Sequence, residues 1–80
     1  MLKLIIVSPE KILYQGDIEK VKVPGTLGEF EILENHAPII SSLDAGKVVY
    51  VTGKGETHAC DIVGGFVEVQ KNVVSLCVEV

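Results

Sequence analysis

The chain has 80 residues, 48% of them hydrophobic, and a formal net charge of −4, with seven basic residues that are all lysine. That length makes one small domain, residues 1–80. With no arginine and no basic stripe, nucleic-acid binding is excluded as a class and bidentate phosphate recognition is weakened.

The first element is apolar: Leu4-Ile5-Ile6-Val7 is the longest apolar run. A membrane span needs about 20 such residues, so direct membrane insertion is not expected. Met1-Leu2-Lys3 lacks the apolar segment and cleavage site of a signal peptide, which points to a cytoplasmic location. No segment keeps the i, i+3, i+4, i+7 spacing of an amphipathic helix over three turns. Period two recurs instead. Lys20-Val21-Lys22-Val23 alternates, and so does the run opened by Phe66. Val74, Leu76, Val78 and Val80 share one face, with Ser75, Cys77 and Glu79 on the other.

Breaks fall at Ser8-Pro9, Gln15-Gly16-Asp17, Pro24-Gly25, Gly53-Lys54-Gly55, Gly64-Gly65 and Lys71-Asn72. Their recurrence predicts strands near 2–7, 11–15, 18–23, 28–33, 38–41, 46–53, 56–63, 65–70 and 73–79, in two stacked sheets. Gly53-Lys54-Gly55-Glu56 reads as a hairpin turn, and Asn72 turns the last hairpin. Gly64-Gly65 predicts a bulge or a sharp bend. With two Phe, two Tyr and no Trp, the core is aliphatic and rich in β-branched residues. Cys60 and Cys77 read as free thiols behaving as small hydrophobes; a disulfide is the alternative, which the cytoplasm disfavours.

The segment Pro24–Pro38 is the most informative. It packs glycines, three carboxylates and His36 between short apolar runs. No Lys-Ser/Thr follows Gly25 and Gly28, and no helix opens there, so a phosphate loop and nucleotide binding are rejected. Gly25 is expected to supply a positive φ in a turn after Pro24. Glu29 and Glu31 share a strand face but lack a third ligand, so they read as a solvated or partner-contacting face rather than a metal site. His36 has Glu34 nearby but no nucleophile, which favours a structural or partner contact over catalysis. His58 reads as a solvated strand residue. No catalytic set, metal or cofactor is expected.

In order along the chain stand Val7-Ser8-Pro9-Glu10, Pro24-Gly25-x-x-Gly28-Glu29-x-x-Ile32-Leu33-x-x-His36-Ala37-Pro38 and Leu43-x-x-Gly46-x-Val48. Gly64-Gly65-Phe66-Val67-Glu68-Val69 and Asn72-Val73-Val74 follow. This ordered set resembles the epsilon subunit of rotary ATP synthases across essentially the whole chain. The resemblance implies an all-β fold, a β-sandwich of about ten short strands that forms that subunit's N-terminal domain. It implies a non-catalytic collar on the central stalk, coupling the gamma subunit to the c-ring on the cytoplasmic face of the inner (plasma) membrane. It places the turn at Gly25, Gly28 and Glu29 toward the c-ring, and Ser8, His36 and Ser41 toward gamma. Glu31 departs from the family, which usually has glycine there. The family usually continues into two C-terminal helices, which are not carried over to a chain ending at Val80.

A free-standing β-sandwich module for a peptide or a carbohydrate is the competing reading. A carbohydrate site calls for exposed aromatic platforms, and most of the four aromatic residues are expected inside.

Overall fold

A computed structural model describes residues 1–80 as an all-β sandwich with no helix. Eight strands follow one another: β1 (Leu2–Val7), β2 (Ile12–Gly25), β3 (Gly28–Ile32), β4 (Ile39–Leu43), β5 (Gly46–Thr52), β6 (Thr57–Ile62), β7 (Gly64–Gln70) and β8 (Val73–Glu79). One layer runs from the first half of β2 through β1, β8 and β7 to β4. The other is β3, the second half of β2, β5 and β6. Their inner faces share one core of sixteen residues, which is free of buried polar side chains.

The alternation read in the sequence sets which side chains enter that core. Val21 and Val23, Val67 and Val69, and Val74, Leu76 and Val78 are buried, while Glu79 is exposed. Val80 is a correction: it lies beyond β8, with no ladder to hold it on the inner face, and is exposed. The aromatic residues need another, because Tyr50 alone is buried. Tyr14 and Phe30 are half-buried and Phe66 is exposed.

The number of strands also differs from the expectation. The segments expected at 11–15 and 18–23 are one strand, β2, which does not break at Gly16, since Gly16 stays in the ladder opposite Leu4. The irregularity comes between Ile18 and Lys20. Ile18 pairs with Leu2 on β1 and with Thr52 on β5, and past it the strand leaves β1 for the other layer. An extra residue that redirects a strand is the work of a bulge. The two layers are thereby joined into one continuous sheet. It also closes at the far side, where Gly25 pairs with Leu43 of β4.

Two glycines are needed where the chain turns or crowds. Gly65 has φ +152°, and a Cβ there would lie 2.2 Å from the Cys77 carbonyl oxygen. The bend itself falls one residue before the Gly64-Gly65 pair, at Val63. Gly25 does not have the positive φ expected of it; Gly28 does, at +130°. Gly25 is required by proximity instead, because a Cβ would meet Gly28 O at 2.7 Å and the Phe30 ring at 2.8 Å.

Candidate interaction surfaces

The outer faces of the two layers differ in chemistry. On the β1–β8–β7–β4 layer, strand register aligns Ile12, Val7, Cys77 and Phe66 in one row across four strands. The next row carries Ile5, Ser75, Glu68 and Ile40. Ile12 is 56% exposed, Ile40 76% and Phe66 49%. These large apolar side chains face solvent on one side of a sheet whose other side is already a complete core. Clustering of this kind marks a surface that meets another molecule.

The outer face of the other layer is charged and internally paired. Lys20 stands 3.7 Å from Glu31, Lys22 stands 3.8 Å from Glu29, and Lys47 contacts Asp61 at 2.8 Å. All six side chains are well exposed, so the pairs contribute little to stability. They flank the smaller apolar side chains Val49, Val51 and Ala59, which share that face.

The residues singled out in the sequence are distributed over these surfaces. Ser8 sits in the turn between β1 and β2, where its backbone N–H donates to Lys11 O at 2.9 Å and its hydroxyl receives the Lys11 N–H at 3.3 Å. That hydroxyl is engaged in shaping the turn around Pro9. His36 lies at the opposite end of the same layer, in the loop between β3 and β4. The adjacent Asn35 is bonded to Asn72, and the Lys3 N–H donates to Asn72 O. A six-residue strand separates the two ends, about 16 Å at strand rise. The apolar rows occupy the space between them.

Ser41 is not beside either. It lines a shallow depression with Gly25, Leu27, Gly28, Glu29, Phe30, Ile39 and Ile40, where the edge of β3 approaches the edge of β4. The structure therefore brings Ser41 together with the Gly25–Glu29 turn, and sets Ser8 and His36 apart. Leu27 at the tip of this turn is fully exposed.

His36 Nδ1 is 2.8 Å from Ala37 O. A carbonyl only accepts, so Nδ1 carries the hydrogen, and Nε2 has no partner within the chain. His58 stacks on Tyr50 with ring centroids 5.6 Å apart and lies 3.4 Å from Glu56. Burial, followed by the neighbouring Tyr14 and Cys60, raises the Tyr50 hydroxyl above its ordinary pKa. A hydrogen bond from Lys3, together with its charge, holds Asp17 below the ordinary carboxylate value. No group of three or more His, Cys, Asp or Glu side chains is arranged to hold a metal.

Sequence reasoning did not find Ile12 and Ile40. Phe66 could have been found, because the alternation that buries Val67 places Phe66 on the outward side.

Comparisons with known proteins agree with this architecture. An ATP synthase epsilon chain of Leptospira borgpetersenii is 45% identical over 76 residues, covering 94% of this chain and 58% of the relative. One from Xanthomonas oryzae is 45% identical over 74 residues, 92% of this chain and 53% of the relative. The chain thus spans little more than half the length of these relatives. Among solved structures, a chain of the Euglena gracilis mitochondrial ATP synthase (OSCP/F1/c-ring) superposes with a TM-score of 0.90 at 20% identity. The match covers 96% of this chain and 49% of that one, a likeness of fold. Residues 1–80 match, end to end, the family described as ATP synthase, Delta/Epsilon chain, beta-sandwich domain, and the chain belongs to that family.

Proposed function

We propose that this chain is a non-catalytic part of the ATP synthase rotor that couples the gamma subunit to the c-ring. It would act at the cytoplasmic face of the membrane, held there through the complex. The observation that carries the reading is the apolar outer face of β1, β8, β7 and β4, set against a paired, charged face on the other layer. A block that joins two partners needs two unlike surfaces on one rigid body.

The apolar face, bounded by Ser8 at one end and His36 at the other, is the gamma surface in this reading. The Gly25–Glu29 turn meets the polar loops of the c-ring. Ser41 stands in the depression beside that turn, where the two surfaces adjoin. A stable gamma complex buries more than about 1,000 Å² in total, which an apolar face four strands wide can contribute to.

A binding titration against isolated gamma tests the assignment, with melting temperature as the control. His36→Glu is expected to weaken gamma binding with an unchanged melt. Glu29→Gln is expected to leave gamma binding alone and to loosen coupling in the assembled synthase. If His36→Glu binds gamma like the parent, or fails only by unfolding, the gamma assignment of His36 is wrong.

A further inference from the structure

The loop bearing His36 has no regular structure of its own, yet it is fastened from outside at two places: Glu34 Oε2 lies 2.8 Å from the N-terminal ammonium of Met1 on an exposed surface, and Asn35 is bonded to Asn72. The Asn35 backbone N–H donates to Asn72 Oδ1 at 2.6 Å, and Asn72 Nδ2 donates to Asn35 Oδ1 at 3.3 Å. The two residues are 37 positions apart and both hold left-handed backbone, with φ 66° at Asn35 and 61° at Asn72. Asparagine tolerates that conformation better than most residues, which leaves its amide free to bond elsewhere. The Asn72 carbonyl receives the Lys3 N–H at 2.9 Å, so the β7–β8 turn is also fixed to β1. On the other side of the clamp, the His36 N–H donates to Leu33 O at 3.2 Å and closes a turn over Glu34 and Asn35. Asn35 is thus held from outside and His36 from within.

We infer that Asn72 is a positioning residue for His36. Its side chain orders the loop between β3 and β4, so that His36 is presented in one conformation with Nε2 available to a partner. The inference rests on the gamma reading above for its partner, and on the clamp alone for its mechanism. Apparent affinity falls by the fraction of time the loop is out of its binding conformation. Loss of a hydrogen bond of this kind corresponds to about a fivefold change in such an equilibrium.

The test is Asn72→Gly, because glycine takes the left-handed turn without strain while removing the side-chain amide. Hydrogen exchange at the Asn35 N–H, followed by NMR on the 80-residue chain, reads loop order directly. Exchange is expected to accelerate about fivefold or more, and affinity for isolated gamma to fall measurably but by no more than about fivefold, at a melting temperature close to the parent's. Asn72→Asp keeps an acceptor for the Asn35 N–H and is expected to restore the exchange protection. Unchanged exchange in Asn72→Gly overturns the clamp. Faster exchange with unchanged gamma affinity, while His36→Glu still weakens binding, overturns the positioning role and leaves the gamma reading standing. If neither His36→Glu nor Asn72→Gly weakens gamma binding, the gamma reading falls and takes this inference with it.

Discussion

Ile40 gives the cleanest measure of the apolar face. It is 76% exposed on β4, and its register partner on β7 is Glu68, so it takes little part in the core. Fully burying an isoleucine side chain contributes about 1.5–3 kcal/mol. About three quarters of that remains unclaimed in the isolated chain, or roughly 1–2 kcal/mol. Ile40→Thr keeps the β-branched shape that suits a strand and removes most of the apolar surface. The affinity for isolated gamma is expected to fall about five- to thirtyfold. Stability is expected to change by no more than about 0.5 kcal/mol, since Ile40 buries little in the free chain. The assay is a calorimetric titration with a paired thermal melt. Leu27→Thr is the control: Leu27 is more exposed still, but it stands on the β2–β3 turn, outside the apolar rows. It is expected to leave gamma affinity unchanged. Equal affinity of Ile40→Thr and the parent, at equal stability, refutes the assignment. So does a loss at Leu27 as large as the loss at Ile40, which would move the gamma surface to the turn.

Gly65→Ala forces a methyl group against the Cys77 carbonyl, and is expected to destabilise the fold by about 2–4 kcal/mol in urea denaturation. Gly55→Ala, at φ +83° with open space around it, is the comparison and costs about 1 kcal/mol. If the two variants melt alike, the close approach of β7 to β8 is not what requires glycine at position 65. The raised Tyr50 pKa means that the folded chain holds the phenol proton more tightly than the unfolded chain does. That stabilisation is complete below the ordinary value of 10.0 and is lost as pH rises above it. Tyr50→Phe is expected to flatten the alkaline limb of a stability–pH curve, and an unchanged limb would show that Tyr50 is not its source.

Much of the fold was legible because it depends on local alternation. The inward Val74, Leu76 and Val78 of β8 and the turn at Asn72 needed only period two and the residue types that accept a left-handed backbone. The continuity of β2 was not legible. Gly16 has the composition of a break but sits in the ladder against Leu4, and the bulge beyond Ile18 carries no sequence marker. The apolar face proposed for gamma was legible only in part. Alternation says which residues share a face, but a face is an interface only when nothing in the fold covers it. Ile39-Ile40 looks like a core doublet, and only the completed sandwich shows that Ile40 is left outside. The Asn35–Asn72 bond joins loops 37 residues apart, which no local pattern encodes.

The single long strand β2 joins the two outer surfaces through continuous backbone, which suits the proposed role of passing force between them. Its first half pairs with β1 under the apolar face, and its second half lies between β3 and β5 under the charged face. A load applied to one face therefore reaches the other through covalent backbone and continuous hydrogen-bonded ladders, not only through side chains sliding in the core. Two separate sheets would resist shear by packing alone. Here the ladder from β1 through β8 and β7 to β4 also returns to β2 at Gly25. Rotation of one layer over the other would have to disrupt β2 at Ile18, which β1 and β5 share, and its pairing with β4 at Gly25. The core adds to this resistance, since its sixteen residues are close-packed and none of them is charged. Stiffness is then a property of the connectivity, and the exposed turns at Gly25–Gly28 and Asn35–His36 can be specialised for partners without weakening it.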